Sequence, residues 1–330
     1  MLLIKKITPA KAGYPVLLAA ALAVPHISPS PYYIQVISMS FIFAIAVYGL
    51  NLIEGYTGQL SLVQAGFFGT GAYMSGLLTL KLKMSFWLAL PLTALAAALL
   101  ALLIGLVSFR TRGHYFVILT LCIGVIINLV IEKWEGLTGG VGGLIGIPKP
   151  SPLGPLSFDT IDRQYYLILA FLLVTMFVMH RIVNSLVGRT FLSIKNSEEL
   201  AATLGINVLY NKLLAFAVSA FFTGMAGALY AGFIRFIGPD ISSPILTFEF
   251  LLYLLVGGQA TIAGPVVGTL LVSGLTESLQ FLKEYRLVLF GALLVLIVKF
   301  FPWGIVGFIR MLAAQKRKKF ISPGKEGVSP

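Results

Sequence analysis

Residues 86–107 pass without one charged side chain, and no other feature narrows the choice of fold as much. A run of about 18 or more uncharged, apolar residues is long enough to cross a bilayer core. Lipid offers the backbone no hydrogen-bond partners, so a single crossing segment must be helical. Comparable runs, uncharged or nearly so, recur at 34–53, 59–80, 115–131, 165–179, 213–233 and 287–301. A water-soluble domain is excluded by composition. Of 330 residues, 58% are hydrophobic and 11% charged, with a mean hydropathy of +0.95, against about 45–50% and 25% in soluble domains. The expectation is an all-α, polytopic helical membrane protein.

Two stretches complicate the count. Residues 14–24 read as a short first span, or as a secretory signal peptide ending at Ala21-Leu22-Ala23. The stretch 250–282 is interrupted by Gly257-Gly258-Gln259-Ala260-Thr261-Ile262-Ala263-Gly264-Pro265. About 8–10 transmembrane helices result, some of them Gly-broken half-helices, in one transmembrane domain over 1–310. A basic tail follows at 311–330.

Lysine and arginine number 24 against 12 acids, a net charge of +12. The bases gather between spans: Lys5, Lys6 and Lys11 at the amino terminus, Arg110 and Arg112, the 180–212 loop, and Arg310 with Lys316, Arg317, Lys318 and Lys319. The 132–164 loop leans acidic through Glu132, Glu135, Asp159 and Asp162. The positive-inside rule then places the basic loops and both termini in the cytoplasm and 132–164 outside. For the tail to be cytoplasmic, 250–282 must cross twice or re-enter. Juxtamembrane bases suit anionic lipid. No basic surface interleaved with aromatics lies outside the membrane, so nucleic acid is not a partner.

Catalysis has little support. His26, His114 and His180 are scattered, and Cys122 is the single cysteine, with no metal-ligand spacing around it. Neither a catalytic nor a metal site is expected. Glu54, Glu249, Glu277 and Lys299 sit near predicted span boundaries, where side chains snorkel to water. The absence of buried carboxylates argues against an ion-coupled carrier or a charged-ring channel.

Neutral polar residues do fall at membrane depth: Gln35, Asn51, Gln59, Ser61, Gln64, Asn128, Gln259 and Thr261. Gly58-Gln59-Leu60-Ser61 and Gly258-Gln259-Ala260-Thr261 repeat at an offset of 200. Paired Gly-interrupted segments in two halves point to a transport pathway in repeat-built transporters. Gly58, Gln59, Ser61, Gln64, Gln259 and Thr261 are therefore candidates for lining it. The competing reading is helix-to-helix hydrogen bonding and small-residue packing.

In the 188–211 loop, residues 196–205 have the form of a two-turn helix. Asn196 is its expected N-cap, Glu199 stands third in a capping box, and Gly205 is the closing residue. So short a helix is unstable alone in water and must dock, either on a partner or on its own membrane domain. Ala201 and Ala202 allow close approach in both cases. A Gly-x-x-x-x-Gly-Lys-Ser/Thr phosphate loop occurs nowhere in the chain.

Glu199-Leu200-Ala201-Ala202-Thr203-Leu204-Gly205-Ile206-Asn207 resembles the EAA-type coupling segment of ABC importer permeases. Tyr210-Asn211-Lys212-Leu213-Leu214-Ala215-Phe216 and Gly224-Met225-Ala226-Gly227-Ala228-Leu229-Tyr230 look like the next helix of the branched-chain amino-acid permeases. So do Gly55-Tyr56-Thr57-Gly58-Gln59-Leu60-Ser61-Leu62, Gly69-Thr70-Gly71-Ala72-Tyr73, and Leu137-Thr138-Gly139-Gly140 with Gly143-Leu144-Ile145-Gly146-Ile147-Pro148. The likeness covers most of 49–302. Two departures stand out: Ala260 replaces a family glycine, and Val63-Gln64 stands where the family often has Gly-His.

The resemblance implies a non-enzymatic permease subunit of an ATP-driven importer for branched-chain or related hydrophobic amino acids, in a bacterial inner membrane. Urea or a short-chain amide is the alternative cargo, and an autonomous channel or facilitator for a small neutral solute the alternative class. It further implies two separate ATP-binding subunits carrying ATP and magnesium, a second, homologous permease subunit, and an extracytoplasmic solute-binding protein. Glu198, Glu199, Ala201, Ala202 and Gly205 would couple to the ATPases. Thr138, Gly139, Gly140, Gly143 and Gly146 would form an outer gate or docking loop, or simply cap the outer mouth.

Overall fold

The computed structural model describes residues 21–26, 30–111, 113–154, 157–278, 304–308 and the single positions 291, 295 and 299. Most of the expected first span, nearly all of the 287–301 span and the whole 311–330 tail lie outside the described residues.

Helix α1 spans Pro31–Leu50, capped by the Ser30 hydroxyl with Pro31 in its first turn, and continues as a π-helical turn over Asn51–Tyr56. Then come α2 (Gln64–Leu80), α3 (Phe86–Ser108), α4 (His114–Lys133), the short α5 (Glu135–Thr138) and α6 (Ile161–Val183). The loop beyond α6 holds α7 (Leu186–Asn196) and α8 (Glu198–Thr203). It leads into α9 (Val208–Ile234), α10 (Pro244–Gly257) and α11 (Gly264–Ser278). Among the described residues, five helices are long and apolar enough to cross a membrane: Pro31–Tyr56, Phe86–Ser108, His114–Lys133, Ile161–Val183 and Val208–Ile234. Helix α10 has 14 residues, about 21 Å at 1.5 Å per residue. It falls short of the roughly 30 Å core, as a half-helix should.

Helices α1 and α9 form the centre. In their most apolar windows 78% and 67% of residues are buried, against 22% in α4 and 28% in α6. Helix α9 packs on α2 through the close backbone approach of Gly71 to Gly224, and on α3 where Gly224 meets Ala97. Lipid supplies no hydrophobic drive between helices, so small residues that let backbones touch provide the dispersion contacts instead. Rings of Phe43, Phe68, Tyr230, Phe250 and Tyr253 fill the gap between α1, α2, α9 and α10. The outward stripe of α3 (Leu88, Leu92, Leu95, Leu99, Leu103, Leu106) is exposed, an apolar face at helical spacing for lipid or a second chain.

Three expectations need correction. Helix α2 starts at Gln64 rather than 59, because 57–63 is irregular around Gly58 at φ +72°. Strands β1 (Leu144–Ile145) and β2 (Phe236–Ile237) pair antiparallel, too short to leave a sequence pattern. Glu54 and Glu249 do not snorkel: they are 9% and 4% exposed, so buried carboxylates are present after all.

Candidate functional site

The two sequence motifs occupy corresponding breaks. The π-turn after α1 ends at Tyr56 and α2 resumes at Gln64; α10 ends at Gly257 and α11 resumes at Gly264, so the resuming residues keep the offset of 200. Gly58 and Gly258 both have positive φ, +72° and +112°.

The breaks are bonded to each other. Asn51 Nδ2 donates to the Thr261 carbonyl at 2.8 Å, and its Oδ1 accepts from the Ala260 amide at 2.9 Å. Gln259 Nε2 donates to Glu54 Oε1 at 2.8 Å, and the Tyr48 hydroxyl donates to the Ile262 carbonyl at 2.5 Å. Asn51 and Tyr48 satisfy backbone groups that the broken helix leaves open, the condition for irregular backbone among membrane helices. A π-turn shifts the helical register locally, and here it carries both Asn51 and Glu54. Gly55 is required by contact: a Cβ there would overlap Asn51 Oδ1 and come within 2.7 Å of the Ala260 nitrogen. Ala260 itself has φ +54°, a left-handed conformation that glycine adopts without steric cost.

A second layer joins these breaks to the α7–α8 loop. Lys195 of α7 donates from Nζ to the Gly55 carbonyl at 2.6 Å, and its stem packs on Gly58. Gln59 Nε2 donates to Glu198 Oε1 at 3.0 Å, and the same carboxylate oxygen lies 2.5 Å from Lys212 Nζ. The Lys212 side chain is only 8% exposed, and its ammonium sits 5.8 Å from the Phe109 ring centre.

Helix α8 differs from expectation at its start. Ser197, not Asn196, is the N-cap: its hydroxyl accepts from the Leu200 amide, and Glu199 takes the second helical position. Asn196 instead ends α7. At the other end, Gly205 at φ +83° closes the helix. Its amide bonds to the Ala202 carbonyl and the Ile206 amide to the Ala201 carbonyl, a Schellman arrangement. Ala201 is buried against the body of the chain, whereas Glu199, Ala202 and Gly205 are exposed. So are Leu200 (62%) and Leu204 (70%). One face of α8 is therefore anchored through Glu198 and Ala201, and an apolar face is left outward.

The remaining predicted residues make other contacts. Gln64 is fully buried, its Nε2 donating to Ser219 Oγ (3.0 Å) and Thr223 Oγ1 (2.5 Å) of α9. Ser61 is fully buried. Thr261 Oγ1 donates to the Gly258 carbonyl and accepts from the Gly264 amide, tying off the start of α11. On the 132–164 loop, Thr138 Oγ1 donates to the Ile131 and Trp134 carbonyls and accepts from the Gly140 amide. Gly139, Gly140, Gly143 and Gly146 all have positive φ. The loop is fixed by the β1–β2 pair and by the Gly146 amide on the Arg235 carbonyl.

Lys195, Lys212 and Phe109 escaped sequence reasoning, since bases and a ring at loop edges look alike whether or not they fold inward. Glu54 offered a signal: it stands three residues from Asn51 in an otherwise apolar stretch.

The comparisons agree with one another. The family described as "Branched-chain amino acid transport system / permease component" matches residues 32–298. The permease protein LivM of the high-affinity branched-chain amino acid transport system in Escherichia coli K12 is 29% identical over 299 residues, covering 84% of this chain and 70% of that protein. LivH of Salmonella typhimurium, from the system of the same description, is 24% identical over 293 residues, covering 82% of this chain and 93% of that protein. No solved structure matches significantly. With its crossing helices, its paired breaks and a match over most of its length, this multi-pass membrane protein belongs to the family of branched-chain amino acid transport system permease components.

Proposed function

We propose that this chain is the permease subunit of an ATP-driven importer in a bacterial inner membrane and moves branched-chain amino acids. Both termini face the cytoplasm. The chain has no nucleotide site of its own. It works with two ATP-binding subunits, a second homologous permease and an extracytoplasmic solute-binding protein. Residues 1–310 make up one transmembrane unit and 311–330 a cytoplasmic tail.

The observation that carries this reading is α8: six residues capped at both ends, with Leu200 and Leu204 outward and Glu198 bonded inward to Gln59 and Lys212. A helix this short is stable only when docked, and its outward face suits the ATPase. Motion of α8 passes through Gln59 to the first break and through Asn51 and Glu54 to the second. In this scheme Gln59 and Gln259 work at the two breaks, Gln64 holds α2 to α9, and Thr138 with its neighbouring glycines shapes the surface that receives the binding protein. An autonomous facilitator would have no use for such a handle.

The test is uptake into vesicles by this chain with and without the ATPases and binding protein. Leucine accumulation that requires ATP and all partners is expected. Free passage down a gradient through the chain alone would overturn the reading, and uptake of urea without leucine would replace its cargo.

A further inference from the structure

The buried side-chain atoms that find no hydrogen-bond partner among the described residues belong to Ser61, Gln64, Ser108, Ser273 and Glu54, and only Glu54 can carry a charge. Its Oε1 accepts from Gln259 across the two breaks, while Oε2 is left bare in a residue only 9% exposed. No base among the described residues pairs with it; the ion pairs there are Lys133–Glu132 and Lys212–Glu198. An ionisable group held away from water without a partner is costly. An orphan of this kind in a fold that satisfies its other groups calls for a physical reason, and a second conformation that serves it is one.

The base within reach is Lys195. Its Nζ donates to the Gly55 carbonyl at 2.6 Å, on the residue next to Glu54, and adjoining Cα atoms are only about 3.8 Å apart. The backbone passes that carbonyl over. Where the π-turn ends, the Thr57 and Gly58 amides go to the Glu54 carbonyl and the Gln59 amide to the Ile53 carbonyl. One ammonium on a flexible four-carbon stem therefore faces two buried acceptors. Serving the carbonyl leaves Oε2 bare, as here; serving Oε2 leaves the carbonyl bare. Two exclusive arrangements of one group make a two-state element.

The stem is placed to respond to motion from the cytoplasm. Lys195 lies in the last turn of α7, two residues before the Ser197 cap of α8. It packs on Gly58, where an added Cβ would stand 3.0 Å from the lysine Cγ. A displacement of α8 thus carries the ammonium along the π-turn, and Glu54 in turn holds Gln259 of the second break.

We propose that Lys195 is a positioning residue for transport. Its ammonium alternates between the Gly55 carbonyl, with the breaks clamped as seen here, and Glu54 Oε2, when the nucleotide cycle shifts α8. The proposal rests on the transport reading above and adds the residue pair through which that motion reaches the second break.

The test uses the assembled transporter in vesicles, with leucine uptake and phosphate release measured together. K195Q keeps a donor for the Gly55 carbonyl and removes the charge, so a lysine that only caps the turn would leave uptake unimpaired. The alternation instead predicts that K195Q and E54Q each lower uptake per ATP hydrolysed about tenfold, the loss of one charge-assisted hydrogen bond. The double variant should lose no more than either single one. For chemical rescue, Cys122 is replaced by serine and the single cysteine of K195C is modified before reconstitution. Aminoethyl methanethiosulfonate, which rebuilds a charged amine, should restore uptake toward that of the parent, and the neutral methyl reagent should not. This arm decides the matter if E54Q fails to assemble. Three results would overturn the pair: unimpaired uptake by K195Q, a double loss equal to the product of the single losses, about a hundredfold, or equal uptake after both reagents. ATP-driven leucine uptake by the parent complex would keep the functional reading intact in each case. Its absence from the parent would remove that reading and the pair with it.

Discussion

Gln59 donates its side-chain amide to Glu198 across 139 residues of sequence, so the first helix break and the α8 helix are held as one piece. Glu198 is also the partner of the nearly buried Lys212. Loss of the carboxylate leaves two donors without their acceptor, at about 1–3 kcal/mol.

Glu198→Ala and Gln59→Leu should therefore loosen α8 from the break without disturbing any span. In the assembled complex, uptake per ATP hydrolysed should fall about tenfold, in line with that cost, while ATP hydrolysis itself persists. Parallel measurement of phosphate release and leucine uptake checks this; equal loss of both would mean that the contact serves assembly rather than transmission.

Leu200 and Leu204 face outward on α8. Burying a leucine is worth about 1.5–3 kcal/mol, so Leu200→Ser combined with Leu204→Ser should abolish co-purification of the ATP-binding subunits. Glu199→Lys, on the exposed side of the first turn, should weaken it. Expression level and membrane insertion should not change. Normal pull-down of the ATPases by the double variant would assign this face to another neighbour.

Gly55→Ala should open the clamp between the breaks, because the added methyl overlaps Asn51 Oδ1 and crowds the Ala260 amide. Overpacking of this kind costs about 1–3 kcal/mol. Thermal unfolding in detergent should show a lowered midpoint, with reduced uptake. Asn51→Leu should give a similar loss, since the Ala260 amide and Thr261 carbonyl would both lose their partner.

Ala260→Gly should act in the opposite direction. A left-handed alanine costs about 1 kcal/mol or more, and φ +54° places Ala260 in that region. Replacement should raise the unfolding midpoint, offset in part by the greater freedom of glycine in the unfolded chain. An unchanged or lowered midpoint would show that the Ala260 methyl has packing value of its own.

Much of this was legible before folding. The uncharged runs set the helical, multi-pass class, because lipid admits little else. The residues near 58–61 and 258–261 marked both breaks, since glycine and short polar side chains are what a helix interruption needs, and Gly205 marked the close of α8. The fine local choices were less legible. Ser197 and Asn196 are both good caps, and only the turn between α7 and α8 decides which of them serves.

What the amino-acid order determined by itself was where the chain is helical and where it breaks, because hydropathy and backbone freedom are local properties. What only the tertiary structure decided was which polar side chains meet: Asn51 with Ala260 and Thr261, Glu54 with Gln259, Glu198 with Gln59 and Lys212. Those pairings join residues up to 210 positions apart. Nothing local in the chain encodes them. They arise because packed helices leave a few backbone and charged groups without water, and each group takes the partner that the bundle brings within reach.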